Sequence, residues 1–476
     1  MNKLHPPGPR GVPVLGSLPQ IGRGLIEFMQ DTASYGDVAS FTIGATRNYL
    51  LSHPDYIREV LVSQRHKFVK DPHDRRTLGR WMGQGLLTSE GVRHAEHRQI
   101  MQAAFQQKRL ALYADIVVQT ARQLVDSWTS GETRDVHAEM MKLTLDVTAR
   151  SLFGASVGAE QAMRIQRAVA HLQGIAISIS KFGMLVPPWM LLPLHALFAK
   201  STRVLDAAVM PIIRERQASG EDRGDLLSVL AGTAGMTERE IRDECVTLFV
   251  AGQETTANGL AWVWYFLSRN PAVADRLYAE IERVLGGRPP TIADLPQLTY
   301  TTMVFREALR IRPPAWTLNK RTPIEDVDLG GYRIAKHSGI FIVPYVMHHH
   351  PRYFAEPERF DPDRFSPENQ ASIRPYTYLP FGAGDRTCIG SGFAMMEAPL
   401  IMATIAQRHT FQIDGSRPVR PLPLITLAPR GGLPARIADC QNGDGRCANR
   451  SDCSVSDTGQ NTSGGGVRTT WTGNTF

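Results

Sequence analysis

Phe381-Gly382-Ala383-Gly384-Asp385-Arg386-Thr387-Cys388-Ile389-Gly390 packs more chemistry into ten positions than any other stretch of this 476-residue chain. A cysteine acts as a metal ligand or nucleophile in its thiolate form. That form is favoured by inward-turned amides and by a helix N-terminus aimed at the sulfur. Gly382, Gly384 and Gly390 allow a tight loop with its amides turned inward, and a helix is expected to begin just after Cys388. Arg386 adds a positive charge able to pair with an anion beside a metal. The competing account is a small buried hydrophobe in a turn.

Other candidate groups lie earlier in the chain. Ala251-Gly252-Gln253-Glu254-Thr255-Thr256 falls in the middle of a long helical pattern. There a glycine costs about 1 kcal/mol, and a threonine hydroxyl can take a carbonyl from the ladder. An acid beside an alcohol at such a place suits a proton relay, although small residues also serve where two helices cross. Gly91-x-x-His94-x-x-x-Arg98 sets two donors on one helix face, suited to a carboxylate, although taken singly a solvated surface pair is the favoured account. Glu307-x-x-Arg310, with Arg364 as a third member, reads as a structural ion pair. Adjacent His348, His349 and His350, placed on an extended segment, would point to opposite sides and are read as surface or partly buried polar residues, not a metal site.

These groups need elements to position them. Strands are expected at Asp37–Thr42 and Asn48–Leu51, a helix at Asp55–Val62, and mostly helix from Val92 to Asn270. The clearest helix opens on the capping box Thr237-Glu238-Arg239-Glu240 and runs to Asn270-Pro271, about 50 Å at 1.5 Å per residue. A helix at Tyr300–Ile311, strand pieces at Val327–Ile334 and Ile340–Pro344, and a helix from about Gly390 follow. The fold class is mainly α with small β-sheets (α+β). Residues 1–437 form one domain, and the Gly/Ser/Asn/Thr-rich residues 438–476 are expected to be a disordered tail. The tail's Cys440, Cys447 and Cys453 have no histidine nearby and fit a zinc site poorly.

A net charge of +7 without any basic run interleaved with aromatics gives no indication of nucleic-acid binding. The body holds only Cys245 and Cys388, which points to a reducing compartment. The N-terminus has no apolar core of a signal peptide, and prolines break the apolar stretch Met184–Phe198, so a cytoplasmic protein without a membrane span is expected.

Together these motifs resemble the cytochrome P450 family over about residues 6–437. The cysteine loop matches the haem-binding signature of that family, and Ala251-Gly252-x-Glu254-Thr255-Thr256, Glu307-x-x-Arg310 and Pro362-Asp363-Arg364-Phe365 follow in its order. The resemblance implies a P450-type fold with haem b between the long distal helix and the cysteine loop. Cys388 would be the axial iron ligand, Thr255 would hydrogen-bond dioxygen, and Glu254 would help deliver protons. His94, Arg98, Arg321 and Arg386 would hold the propionates, His94 standing where many relatives carry Trp, and Phe381 would pack near the sulfur. Four regions would form the substrate surface: Val69–Leu87, Ile175–Phe198, Phe249–Ala251 and Ala315–Leu318. They include Trp81, Met82, Phe182, Met184, Trp189, Ala251, Trp316 and Leu318, and their apolar character suits a terpenoid or, next, a fatty acid. The implied activity is a monooxygenase acting as a monomer on a small lipophile, supplied with NAD(P)H electrons by a separate ferredoxin or flavodoxin and its reductase. A peroxygenase or isomerase, and a non-catalytic haem-thiolate protein, are the alternatives. Pro399 departs from the pattern and should end or kink the last helix.

Overall fold

The long helix forms as its sequence directs. Thr237 caps it through its side chain to the Glu240 amide, and the Glu240 carboxylate returns to the Thr237 amide. The helix then runs Glu238–Arg269, 32 residues, and ends at Asn270 before Pro271. Buried residues occur all along it, among them Trp262 and Trp264, so it is a central rod and not a surface helix. The helix Val136–Phe153 packs along it, and a core of residues from Gln107–Asp126, Thr299–Ile311 and Ser391–Ala406 gathers around its second half. This computed structural model describes residues 5–154, 159–182, 192–416 and 418–440.

The β structure lies to one side. A five-stranded sheet has the order Val38–Ile43, Thr46–Leu51, Gly339–Ile342, Arg321–Pro323, Phe68–Lys70. Its last two strands pair antiparallel with Lys70 opposite Arg321, which brings two cations from distant sequence to one edge. A three-stranded sheet joins Thr133–Asp135, Pro434–Asp439 and His409–Ile413. Asp439 pairs with His409, so ordered chain continues two residues past the boundary expected at 437. Residues 441–476, most of the expected tail, lie outside the described residues.

Two local expectations change. The helix after the cysteine runs Ser391–Ala406 and continues through Pro399. Leu400, Ile401, Met402, Ala403 and Ile405 are fully buried around it, and this packing outweighs the local cost of the proline. The three histidines lie at a helix end, Pro344–His348, not on an extended segment, and His348 is fully buried. Its Nδ1 donates to the Arg310 carbonyl at 3.0 Å and its Nε2 accepts from the Leu379 amide at 2.8 Å. His348 therefore ties the helix before Pro313 to the entry of the cysteine loop. Among the described residues no helix is long and apolar enough to cross a membrane.

Candidate functional site

Gly382 and Gly384 have φ of +71° and +70°, and a Cβ on Gly384 would stand 2.2 Å from the Leu61 carbonyl oxygen. Only glycine permits that turn against the neighbouring segment. The loop closes through the Cys388 amide, which donates to the Phe381 carbonyl at 2.9 Å. Cys388 Sγ thus faces an internal cavity, deep in the molecule yet open to that space. Burial pushes the thiol up, while the Gly390 amide and the charge of Arg98 draw it back in part. The loop alone favours the thiol, so a bound cation is needed to make the thiolate the stable form.

The cavity has a volume of about 370 Å³. Phe381, Ile389 and Phe393 line it beside the cysteine, and Ala251, Gly252 and Thr255 line it from the long helix. Lys70, His94, Arg98, Arg321 and Arg386 stand together on another part of the wall. Arg98 donates to the Thr387 carbonyl at 2.8 Å, Arg321 to the Asn319 carbonyl at 2.7 Å, and Arg386 pairs with Glu90. The group still carries an excess of positive charge. Burial, reinforced by Arg386, lowers Lys70 to about 6, His94 to about 3 and Arg321 to about 10. Such crowding of basic groups favours the binding of an anion beside them. A flat iron porphyrin with two carboxylates fits all three features: a thiol facing the space, apolar walls, and a cationic rim.

The long helix presents Thr255 to the cavity, its hydroxyl donating to the Ala251 carbonyl at 2.6 Å. A Cβ on Gly252 would meet Thr148 Oγ1 at 3.4 Å, so Gly252 also serves the crossing with Val136–Phe153. Glu254 does not line the cavity. Its carboxylate accepts from the Thr426 hydroxyl and from Gln173 Nε2 at 3.3 Å. One step along a helix turns the side chain by about 100°, enough to put Glu254 behind Thr255 and not beside it.

Several pocket expectations are corrected. Trp81 and Met82 are 0% and 1% exposed, packed in the core of their own helix Pro72–Met82, and do not line the cavity. Trp316 is also buried away from it, its indole N–H donating to the Leu424 carbonyl at 3.0 Å. Large apolar side chains near a site are as well used in filling core as in lining space. Ala251 and Leu318 do line the cavity. Phe182 ends the helix Ala159–Phe182, and Met184 and Trp189 lie outside the described residues. Lining residues not singled out from sequence include Lys70, Leu86, Leu87, Phe305 and Leu309. Lys70, Leu86 and Leu87 fall within the expected region Val69–Leu87 but are not named in it, and nothing about Lys70 distinguishes it from a solvated lysine in sequence.

Glu307 and Arg310 are fully buried and joined by two hydrogen bonds of 2.8 Å. Arg310 also donates to the carbonyls of His348 and Arg359 at 2.9 and 3.1 Å, and Arg364 approaches Glu307 at 3.4 Å. This cluster ties the helix Thr299–Ile311 to the segment before the cysteine loop and does not reach the cavity through Glu307 or Arg310.

Residues 6–433 match the family model described as Cytochrome P450. The chain is 37% identical over 434 residues to "Cyclooctatin synthase" of Streptomyces melanosporofaciens, covering 89% of this chain and 93% of the relative. It is 33% identical over 432 residues to "Pentalenene oxygenase" of Streptomyces avermitilis, covering 88% and 94%. The structure titled "Crystal structure of cytochrome P450DA heme domain" superposes with a TM-score of 0.83 at 25% identity, covering 91% of this chain and 97% of that one.

Proposed function

The chain belongs to the cytochrome P450 family and is a P450 monooxygenase, and from that premise we propose that it oxidises a small lipophile of the terpenoid class. The observation that carries this reading is the apolar cavity onto which both Cys388 and Thr255 open. A fatty acid is the next substrate class. A relative 35% identical over 428 residues, also from Streptomyces melanosporofaciens, is named "Cyclooctat-9-en-7-ol 5-monooxygenase", which together with the two names above supports the terpenoid choice. Electrons would come from NAD(P)H through a separate ferredoxin or flavodoxin and its reductase.

Haem b, when bound, would supply the redox-active iron at which dioxygen is reduced. Cys388 would hold its iron through the thiolate, and Arg98, Arg321, Arg386 and His94 would hold its carboxylates, His94 as a neutral donor since burial keeps it uncharged. Phe381 and Phe393 line the cavity with Cys388 and would shield the bound sulfur from water. On the other side the Thr255 hydroxyl, now bonded to the Ala251 carbonyl, would rotate to hold a proton toward the cavity. Glu254 would replenish that proton after leaving Thr426.

Turnover with a surrogate ferredoxin, its reductase and NAD(P)H against terpenes and fatty acids tests the reading, with products identified by mass spectrometry. Oxygenated terpenoid is the expected result. Product with peroxide alone would move the assignment to a peroxygenase, and no product across a broad panel would move it to a binding protein.

A further inference from the structure

Segment 83–89 forms part of the cavity wall through Leu86 and Leu87, and two sets of charges grip it from opposite sides. From the long helix, the Asp243 carboxylate accepts from the Gln84 amide at 2.7 Å and the Glu244 carboxylate from the Leu86 amide at 3.0 Å. Glu244 is fully buried, and its other oxygen is bonded to His97 Nδ1 at 2.6 Å. The approach is so close that a Cβ on Gly83 would lie 1.9 Å from an Asp243 carboxylate oxygen, and one on Gly85 2.3 Å from Thr247 Oγ1. From the other side, Lys70 Nζ donates to the carbonyls of Leu86, Leu87 and Ser89 at 3.0, 2.7 and 3.2 Å. Arg75 takes the Thr88 carbonyl at 3.0 Å, and Arg386 shares that of Ser89 at 3.2 Å.

Lys70 Nζ lies within hydrogen-bond distance of three backbone carbonyls of this wall. Lys70 is 5% exposed, and burial among Arg386, Arg321 and Arg75 draws it down to about 6, so its hold on the wall comes from this hydrogen bonding and not from a free charge. The three carbonyls converge on one nitrogen, and their positions are set by it. Arg98, Arg321 and Arg386 do not have this geometry, since each gives the cavity side of the loop at most one bond.

We propose that Lys70 is a positioning residue that fixes the Leu86–Leu87 wall against the Asp243–Glu244 grip and so sets which carbon of a lipophilic substrate is held toward the oxidising centre. The proposal rests on the monooxygenase reading for its substrate, but the wall itself can be observed without turnover.

The test uses haem-loaded enzyme carrying Lys70→Met, with Asp243→Asn as a second variant acting from the opposite side. Hydrogen exchange at the amides of Gln84 and Leu86 should rise about tenfold in each variant, the loss of roughly one hydrogen bond's worth of protection. Exchange within Glu238–Arg269 should stay within twofold of the parent. Product ratios from one terpene should shift several-fold, with total kcat changing less than the ratio. Unchanged exchange at 84–89 in both variants, or a rise spread equally along the long helix, overturns the proposal. So does faster loop exchange with an unaltered product ratio. If the parent makes no oxygenated product at all, the monooxygenase reading fails, while the exchange data still decide whether Lys70 holds the wall.

Discussion

Glu307, Arg310 and Arg364 form a closed set of buried charge, whereas Arg98, Arg321 and Arg386 form an open one, with His94 held neutral beside them and Lys70 already bonded to three carbonyls. In the first, the carboxylate meets both guanidinium groups and the spare Arg310 protons end on carbonyls. In the second, the cations stand together on one part of the cavity wall with Glu90 paired to Arg386. Glu307, Arg310 and Arg321 are buried, while Arg98, Arg364 and Arg386 are part-buried. The difference lies in whether protein groups alone complete the electrostatics, and this separates a structural cluster from a ligand cradle better than burial or composition does. Glu397 shows a third solution. It is fully buried, nine residues after Cys388, and neither carboxyl oxygen has a well-formed hydrogen bond. Burial pushes it up to about 8, with the Thr256 hydroxyl drawing it back only in part, so it is held neutral by its own proton.

The largest effect should come from opening the closed set. Glu307→Gln keeps the shape but leaves Arg310 buried with its charge unpaired, a loss of about 3–5 kcal/mol. The expected outcome is protein that retains little haem and unfolds far below the parent in a thermal melt. A Glu307→Gln protein within about 1 kcal/mol of the parent would show that the cluster is not closed by its ion pair, and the comparison would break.

Glu397→Gln probes the neutral solution through pH. The folded carboxyl, near 8, binds a proton over a range where the unfolded one, near 4.5, has lost it. The parent should therefore lose stability as pH rises from about 4.5 to 8, at up to about 1.4 kcal/mol per unit from this group. The variant lacks that slope. Urea melts at pH 5 and pH 8 should show it close to the parent at the lower pH and more stable, by about 3–4 kcal/mol, at the higher one. An equal difference at both pH values would mean that Glu397 is ionised in the folded protein.

The closed set and the cysteine loop were legible in sequence because each is local: Glu307-x-x-Arg310 needs only a helix turn, and the loop needs only its glycines to present Cys388. The long helix was legible for the same reason, through its capping box and Asn270-Pro271. The open set was half legible. His94 and Arg98 lie on one helix, but Lys70 and Arg321 meet only because two short strands pair across some 250 residues. Trp81, Met82 and Trp316 were misplaced because an apolar side chain reads the same whether it fills a core or lines a cavity. Glu254 stands behind the wall because its carboxylate is held by the Thr426 hydroxyl and the Gln173 amide, partners that lie far away in sequence. No local pattern announces Lys70, whose three acceptors are backbone carbonyls.

The smallest effect is the most discriminating, because the open set predicts opposite signs for one substitution. Arg321 is lowered to about 10 by burial and then by Arg386, so at pH 7 it remains charged and its charge is held at a cost. A depressed basic group destabilises the fold at every pH below its folded value, and pH 7 lies in that range. Arg321→Gln removes the cost and can keep a bond to the Asn319 carbonyl. The haem-free protein should therefore gain on the order of 1 kcal/mol in a denaturant melt. With haem bound, the same change removes a partner from an anionic carboxylate, and transfer of haem to an acceptor globin should quicken several-fold. Were Arg321 part of a closed structural set like Arg310, both measurements would move in the destabilising direction. Stabilisation without haem combined with faster haem loss is the signature of a cation kept for a ligand.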